Sequence, residues 1–250
     1  MKKICLVLLF VFSITVLAAC GQNGAHDAVM VYCGAGMAKP FKEIEEAFKE
    51  KTGHPIEVVY VNAVQAQTQI NTTGKGDYFV AGAKNELEPI KDKVAESRDL
   101  VKHIPVVGVQ KGNPKDIREF ADLEKEGVGL VIGDPEATPI GKIAMAIFKE
   151  NGIDDKVNIL SKTTTAPQMA IILENKQADA VIVWKENIDP EKMSIADIAG
   201  MDKYIKVVPL AKLTSAGDGP AVKELDEFLR SQEAKEIWMK FGYELAEGVD

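Results

Sequence analysis

Histidine and cysteine are both scarce in this chain of 250 residues, with three of each. His26, His54 and His103 are scattered, and with so few cysteines they make no recognisable metal-ligand spacing. No Gly-x-x-x-x-Gly-Lys-Ser/Thr run occurs, which excludes a phosphate loop of that kind. Gly34-x-Gly36 falls short of a dinucleotide fingerprint. Its third small position is Lys39, and Glu57 begins the next strand where the ribose-binding acid should end it. No Ser-His-Asp or Cys-His set is placed by motif. Asp134 and Glu136, on either side of Pro135, read as helix-start caps rather than an acid pair. No enzyme, metal site or cofactor is expected from these patterns. A basic excess is also lacking: the net charge is −8, which argues against nucleic acid as a partner. Low-complexity tracts, short-period repeats and linkers are absent.

There is one long apolar run, at the N-terminus. Lys2 and Lys3 precede Ile4–Val16, and small residues follow, a secretory signal pattern too short for a membrane span. Leu17-Ala18-Ala19-Cys20 resembles the lipobox of bacterial lipoproteins, which implies cleavage after residue 19 and lipidation of Cys20. Residues 20–26 then form a polar tether. Cys5 leaves with the leader, so Cys33 is the one free cysteine of the mature chain and no internal disulfide is possible. Cys33 reads as a buried hydrophobe or a pocket thiol, the former being commoner.

The mature chain, roughly 230 residues, suffices for one large domain or two lobes. Its organising stretch is Val29–Gly53: a strand, a Gly34-Ala-Gly36 turn, and a helix that Pro40 helps to start. Phe41, Ile44 and Phe48 mark one buried helical face. Lys49, Lys51 and Gly53 suit its C-terminal end. Further strands are expected at 55–61, 78–81, 103–109, 128–132, 157–160, 178–184 and 205–210. Helices are expected at 65–72, 86–96, 117–125, after Gly141, and at 168–174, 220–230 and 232–243. Such alternation implies an α/β fold with parallel sheets. Ligands in such folds sit beyond strand carboxyl ends, at helix N-termini. Three glycine- or hydroxyl-rich turns lie there: 34–39, 134–141 and 163–168.

With these turns placed, the mature chain resembles the molybdate-binding proteins of ABC importers, within the two-lobed periplasmic solute-binding superfamily. The matching pieces are Val29-Met-Val-Tyr-Cys-Gly-Ala-Gly-Met37, Gly76-Asp-Tyr-Phe-Val-Ala81, Gly112-Asn-Pro114, Gly133-Asp-Pro-Glu-Ala-Thr-Pro-Ile-Gly-Lys-Ile-Ala144, Ala178-Asp-Ala-Val-Ile-Val-Trp184 and Phe241-Gly-Tyr243. The resemblance implies two lobes, each a mainly parallel sheet flanked by helices, made of residues 27–108 plus 209–250 and of residues 109–208. It also implies an oxyanion, molybdate or tungstate, held between them by main-chain N–H groups and delivered to a membrane permease by a monomeric receptor.

Carried over position by position, the resemblance puts Gly36 and Ala63 where the family has Ser. It puts Ile140 and Ala166 at backbone donors, and Trp184 where the family has Tyr. The three hydroxyls are absent here. Cys33, Met37, Asn62, Gln65, Thr138 and Thr165 are the further pocket candidates, and a different small anion or polar ligand is the alternative.

Overall fold

The computed structural model describes residues 28–248. The expected leader, Cys20 and the tether lie outside the described residues. β1 (Val29–Gly34) sends alternate side chains to opposite faces of its sheet. Val29, Val31 and Cys33 enter one apolar cluster and Tyr32 another, the period of two that a strand imposes. A short 3-10 turn (Ala35–Met37) leads into α1 (Ala38–Thr52), which buries Pro40, Phe41, Ile44 and Phe48. Gly53 closes the helix at φ 78°, its N–H bonded to the Lys49 carbonyl, a conformation that glycine adopts without strain. β2 (Ile56–Val61), α2 (Ala63–Thr73) and β3 (Tyr78–Val80) follow, with β2 and β3 parallel to β1 on its two sides.

The expected helix at 86–96 is not formed. Residues Lys84–Lys93 make 3-10 turns broken at Ile90, just after Pro89. Proline lacks the N–H and its ring obstructs the preceding turn, so an α-helix does not propagate through it. The chain then enters β4 (Val94–His103). His103 ends β4, and β5 (Pro105–Gln110) belongs to the other sheet, so the single expected strand at 103–109 is divided at Ile104.

In the second sheet lie β6 (Gly129–Gly133), α3 (Pro139–Glu150), β7 (Asn158–Thr163), α4 (Ala166–Glu174), β8 (Ala180–Trp184) and β9 (Met193–Ala196). The segment 117–125 forms only a 3-10 turn at Phe120–Glu124. Asp122 accepts from the N–H groups of Arg118 and Glu119 there, 2.6 and 3.0 Å away. The chain returns with β10 (Lys206–Leu213), α5 (Pro220–Arg230), α6 (Gln232–Lys240) and β11 (Glu244–Leu245).

The sheet orders are β11-β4-β10-β3-β1-β2 and β7-β6-β8-β5-β9. Parallel pairing is confined to β1, β2 and β3 and to β6, β7 and β8; every other pair is antiparallel. Both sheets are therefore mixed rather than mainly parallel. The antiparallel strands are those that carry the chain between sheets or return late to cover an edge. The change of sheet falls at Ile104 and again between Ala196 and Lys206. Gly108 lies within β5, where a Cβ would stand 2.6 Å from Ile188 Cδ1, the end of a side chain that would have to move.

An aspartate fastens each parallel unit in the same way. Asp77 N–H donates to the Met30 carbonyl while its Oδ2 accepts from Met30 N–H at 2.8 Å. Asp179 does the same with Gly129, its Oδ2 accepting at 2.9 Å. These two acids are structural, as the strand-start position suggests.

Candidate ligand-binding site

Four strand-to-helix turns reach the carboxyl ends of parallel strands: one between β2 and α2 at Asn62, and the three glycine- or hydroxyl-rich ones at 34–39, 134–141 and 163–168. At the first, Gly34 makes room for Met37, whose Cε would lie 2.7 Å from a Cβ there. Met37 is thereby buried as a plug under the turn, while Gly36 is exposed on its outer side. At the second, Gly133 and Gly141 bring strand tip and helix start into contact. A Cβ on Gly141 would stand 2.3 Å from the Gly133 carbonyl oxygen. Thr138 is the cap of α3: its Oγ1 accepts from Gly141 N–H at 3.1 Å and donates to the Asp134 carbonyl at 2.8 Å. Asp134 caps the turn instead of the helix, accepting from Glu136 N–H at 2.9 Å, so the expected helix-cap role falls to Thr138. The third turn starts α4 at Thr165, whose side chain makes no cap bond, with Pro167 just inside.

A cleft of about 370 Å³ opens between the two sheets' helices. One side carries Gly36, Lys39 and Pro40 together with Phe241 and Tyr243 from the end of the chain. The facing side carries Pro167, Ala170, Ile171 and Glu174 from α4, the Glu186–Asp189 segment after β8, and Lys192. Lys192 is shared between Glu174 at 3.1 Å and Asp189 at 3.6 Å. Lys39 makes no ion pair or side-chain hydrogen bond among the described residues. Glu186 meets buried His103 at 2.7 Å. Burial, and behind it the Glu186 carboxylate, pushes the Tyr243 hydroxyl well up from the usual phenol value. Gly242, at φ 85°, allows the last turn to approach the Glu186 backbone, where a Cβ would be 3.4 Å from Glu186 Cα.

Of the expected ligand positions, Gly36 lines this cleft and Ala166 immediately precedes Pro167, which does. Trp184 ends β8 two residues before Glu186; it is buried and its ring is stacked on His103, centroids 3.7 Å apart. Ala63 and Ile140 are not among the cleft-lining residues. Three proposed hydroxyl substitutes are committed elsewhere. Asn62 and Gln65 cap one another, each side chain accepting from the other's backbone N–H at 2.9 and 3.3 Å, a reciprocal capping box. Thr138 caps α3 as described. Thr165 is exposed and its side chain takes no cap role. Cys33 is fully buried, and burial, then the nearby Glu45, pushes its thiol up, so it behaves as the buried hydrophobe. Lys39, Glu186, Asn187, Asp189, Lys192 and Tyr243 were missed. The charged run directly after the Trp184 strand tip was a usable signal for Glu186–Asp189, since ligands gather beyond strand carboxyl ends; nothing local marks Tyr243.

The chain belongs to the bacterial extracellular solute-binding protein family, whose model matches residues 29–244. That family is one of binding proteins, not enzymes. A putative binding protein of Haemophilus influenzae is 30% identical over 62% of this chain and 65% of its own length, a little under two thirds of that relative. The putative ABC transporter substrate-binding lipoprotein YvgL of Bacillus subtilis is 23% identical over 97% and 98%. The molybdate-binding protein ModA of Mycobacterium tuberculosis is 26% identical over 67% and 69%. Among solved structures, the substrate-binding domain of a putative molybdenum ABC transporter from Clostridium difficile superposes with a TM-score of 0.71 at 20% identity, covering 88% of this chain and 99% of that one. PEB3 of Campylobacter jejuni bound to L-phospholactate gives 0.63 at 20% identity, covering 86% and 99%. The two-lobed α/β solute-binding fold is thus shared.

Proposed function

We propose that this chain is the extracytoplasmic receptor of an ABC importer and carries a small oxyanion, molybdate or tungstate first, into the cleft between its lobes. In this reading the anion rests on main-chain N–H groups at Gly36 and Ala166, on or beside this cleft, and at Ala63 and Ile140, which lie outside its present lining and would join it, with Trp184 as a wall, as the lobes close by a hinge at the crossing strands. The observation that supports it is one cleft shared by the two halves of the fold: the turn before α1, at Gly36 and Lys39, lies on one side and the flank of α4 from Pro167 to Glu174 on the other. First-turn N–H groups lack partners within their helix and the dipole there favours negative charge.

A second reading is favoured by the side chains of the cleft. With three family hydroxyls absent, each worth roughly 0.5–1.5 kcal/mol, and with Lys39 on one wall and without an ion pair or side-chain hydrogen bond among the described residues, a small organic anion is the alternative ligand. A thermal-shift screen against molybdate, tungstate, sulfate, chromate and L-phospholactate separates the two. A ligand at 100 times its Kd adds about 2.7 kcal/mol of stability, and stabilisation by L-phospholactate but by no oxyanion would select the second reading. Gly36→Pro removes a donor and should weaken the bound anion about tenfold; unchanged binding by a folded variant would remove the ligand from this turn. Attachment to the membrane through Cys20 belongs to the same proposal. Cys20→Ser should release the exported protein or block its processing, and unaltered processing and membrane retention would refute it.

A further inference from the structure

One buried pair beside the cleft takes no part in the binding mode above. His103, the last residue of β4, stands between two acceptors. Its Nδ1 lies 3.4 Å from the Gly82 carbonyl oxygen and its Nε2 lies 2.7 Å from Glu186 Oε1. The two side chains are only 8% and 6% exposed. The ring is also enclosed by Trp184, stacked at 3.7 Å and 17°, and by Tyr243, tilted at 6.1 Å. The Glu186 oxygen lies within contact distance of Nε2, yet the two do not meet the geometry of a directed hydrogen bond. A neutral imidazole has one N–H and one lone pair. Facing acceptors at both nitrogens, it would set that lone pair against an oxygen. One additional proton, on His103 or on Glu186, removes the conflict.

The other ionisable groups around the ring supply no positive charge in contact with Glu186. Glu86, on the turns after β3, accepts from Gly82 N–H at 2.7 Å. Burial raises its pKa, partly offset by that backbone bond, by His103 and by Lys142 of α3. The Tyr243 hydroxyl and, behind it, the Cys33 thiol are both pushed up by burial and stay protonated. Lys185 is held by Glu244 at 2.5 Å on the exposed side.

We propose that His103 is a positioning residue for anion binding: it shares a proton with Glu186 and so keeps the cleft wall free of net negative charge. This rests on the reading of the protein as an anion receptor. Glu186 lines the cleft and His103 does not, so the histidine acts through the carboxylate. Without that proton the pair carries one negative charge in a poorly hydrated wall, where repulsion of a nearby anion is much stronger than in water. The sign follows: with the pair protonated the wall is neutral and affinity is at its plateau, and affinity falls as pH rises through the titration of the pair. Since β4 belongs to one sheet and Glu186 follows β8 of the other, the same proton also joins the two lobes where the chain crosses.

Isothermal titration calorimetry with molybdate and, separately, L-phospholactate, from about pH 6 to about pH 9, tests this on four proteins: wild type, His103→Gln, Glu186→Gln and the double variant. Wild-type affinity should fall by about tenfold or more across that range. His103→Gln should bind about tenfold more weakly at the acid end, with a flat profile, and Glu186→Gln in the same chain should restore affinity to within about threefold of wild type. Glu186→Gln alone should lose the pH dependence of binding, which keeps the test decisive if His103→Gln does not fold. A flat wild-type profile, a His103→Gln protein equal to wild type, or a weakened one that Glu186→Gln does not rescue overturns the proposal and leaves the anion reading standing. A wild-type protein that binds neither probe, and none of tungstate, sulfate and chromate in the thermal-shift screen, overturns both.

Discussion

Gly141→Ala probes the close approach that builds the second turn. A Cβ at this position would lie 2.3 Å from the Gly133 oxygen and 2.6 Å from both the carbonyl carbon and oxygen of Asp134. All three are backbone atoms, so no side-chain rotation relieves the contact, and the start of α3 has to withdraw by roughly 1 Å to reach ordinary van der Waals distance. In an open helix the same change would gain about 1 kcal/mol from propensity. Against that, overpacking beside rigid neighbours costs about 1–3 kcal/mol. The shift also stretches the 3.1 Å bond from Gly141 N–H to Thr138, worth roughly 0.5–1.5 kcal/mol. The expected net loss is about 1–3 kcal/mol, read as a lower urea midpoint and a Tm lower by about 2–4 °C per kcal/mol. Gly36→Ala is the control, since a Cβ there meets nothing within 4 Å and stability should stay within about 0.5 kcal/mol. If Gly141→Ala unfolds at the wild-type urea concentration, the helix start is not held against the strand tip and the reasoning for this turn fails.

Removing the two strand-fastening aspartates should cost unequal amounts. Asp77→Ala strands the N–H groups of Met30 and Gly217, which its two oxygens hold at 2.8 and 2.9 Å, so a loss of about 2–3 kcal/mol is expected. Asp179→Ala, with one such bond at Gly129 and a long 3.8 Å pair to Lys115, should lose less, and the reverse order in urea unfolding would contradict the assignment. Cys33 is sealed and its thiol stays protonated, so a disulfide reagent should label it only in denaturant; fast labelling of the native protein would place it in an open pocket. Bound ligand should draw the lobes together, and small-angle scattering that shows no compaction with a ligand that stabilises the protein would count against the hinge.

The elements read correctly from sequence are those whose signals are local. In α1, the Phe41/Ile44/Phe48 spacing, Pro40 and Gly53 all point to the same helix, and each has the burial or backbone angle expected of it. β4 was misread because its first half, Val94–Asp99, is exposed or only partly buried on both faces, and a run of charged residues with one apolar position in several resembles a solvated helix. Its strand state is imposed by pairing with β10, a partner more than a hundred residues away. β9 and β11 are shorter still and exist through their pairing with β5 and β4. The change of sheet at Ile104 did have a marker, Pro105, the first residue of β5, since a proline inside an apolar run signals a strand start more readily than a strand interior.

The site divides along the same line, with a further reason that concerns the helix starts themselves. Residues that announce a helix N-terminus are frequently the residues that use up its donors. Asn62 marks α2 and takes the Gln65 N–H; Thr138 marks α3 and takes the Gly141 N–H. Pro40, Pro139 and Pro167, good early-helix residues, have no N–H to offer, and Ala38 already donates to the Ala35 carbonyl. Each helix start therefore retains few donors for a ligand, such as Ala63 and Val64 in α2 or Ile140 in α3, and no single start can match the hydrogen-bonding capacity of an oxyanion. If the proposed oxyanion is the ligand, its binding strength has to come from starts on both lobes converging on it, and lobe closure would then be the means by which a shortage of free N–H groups is met.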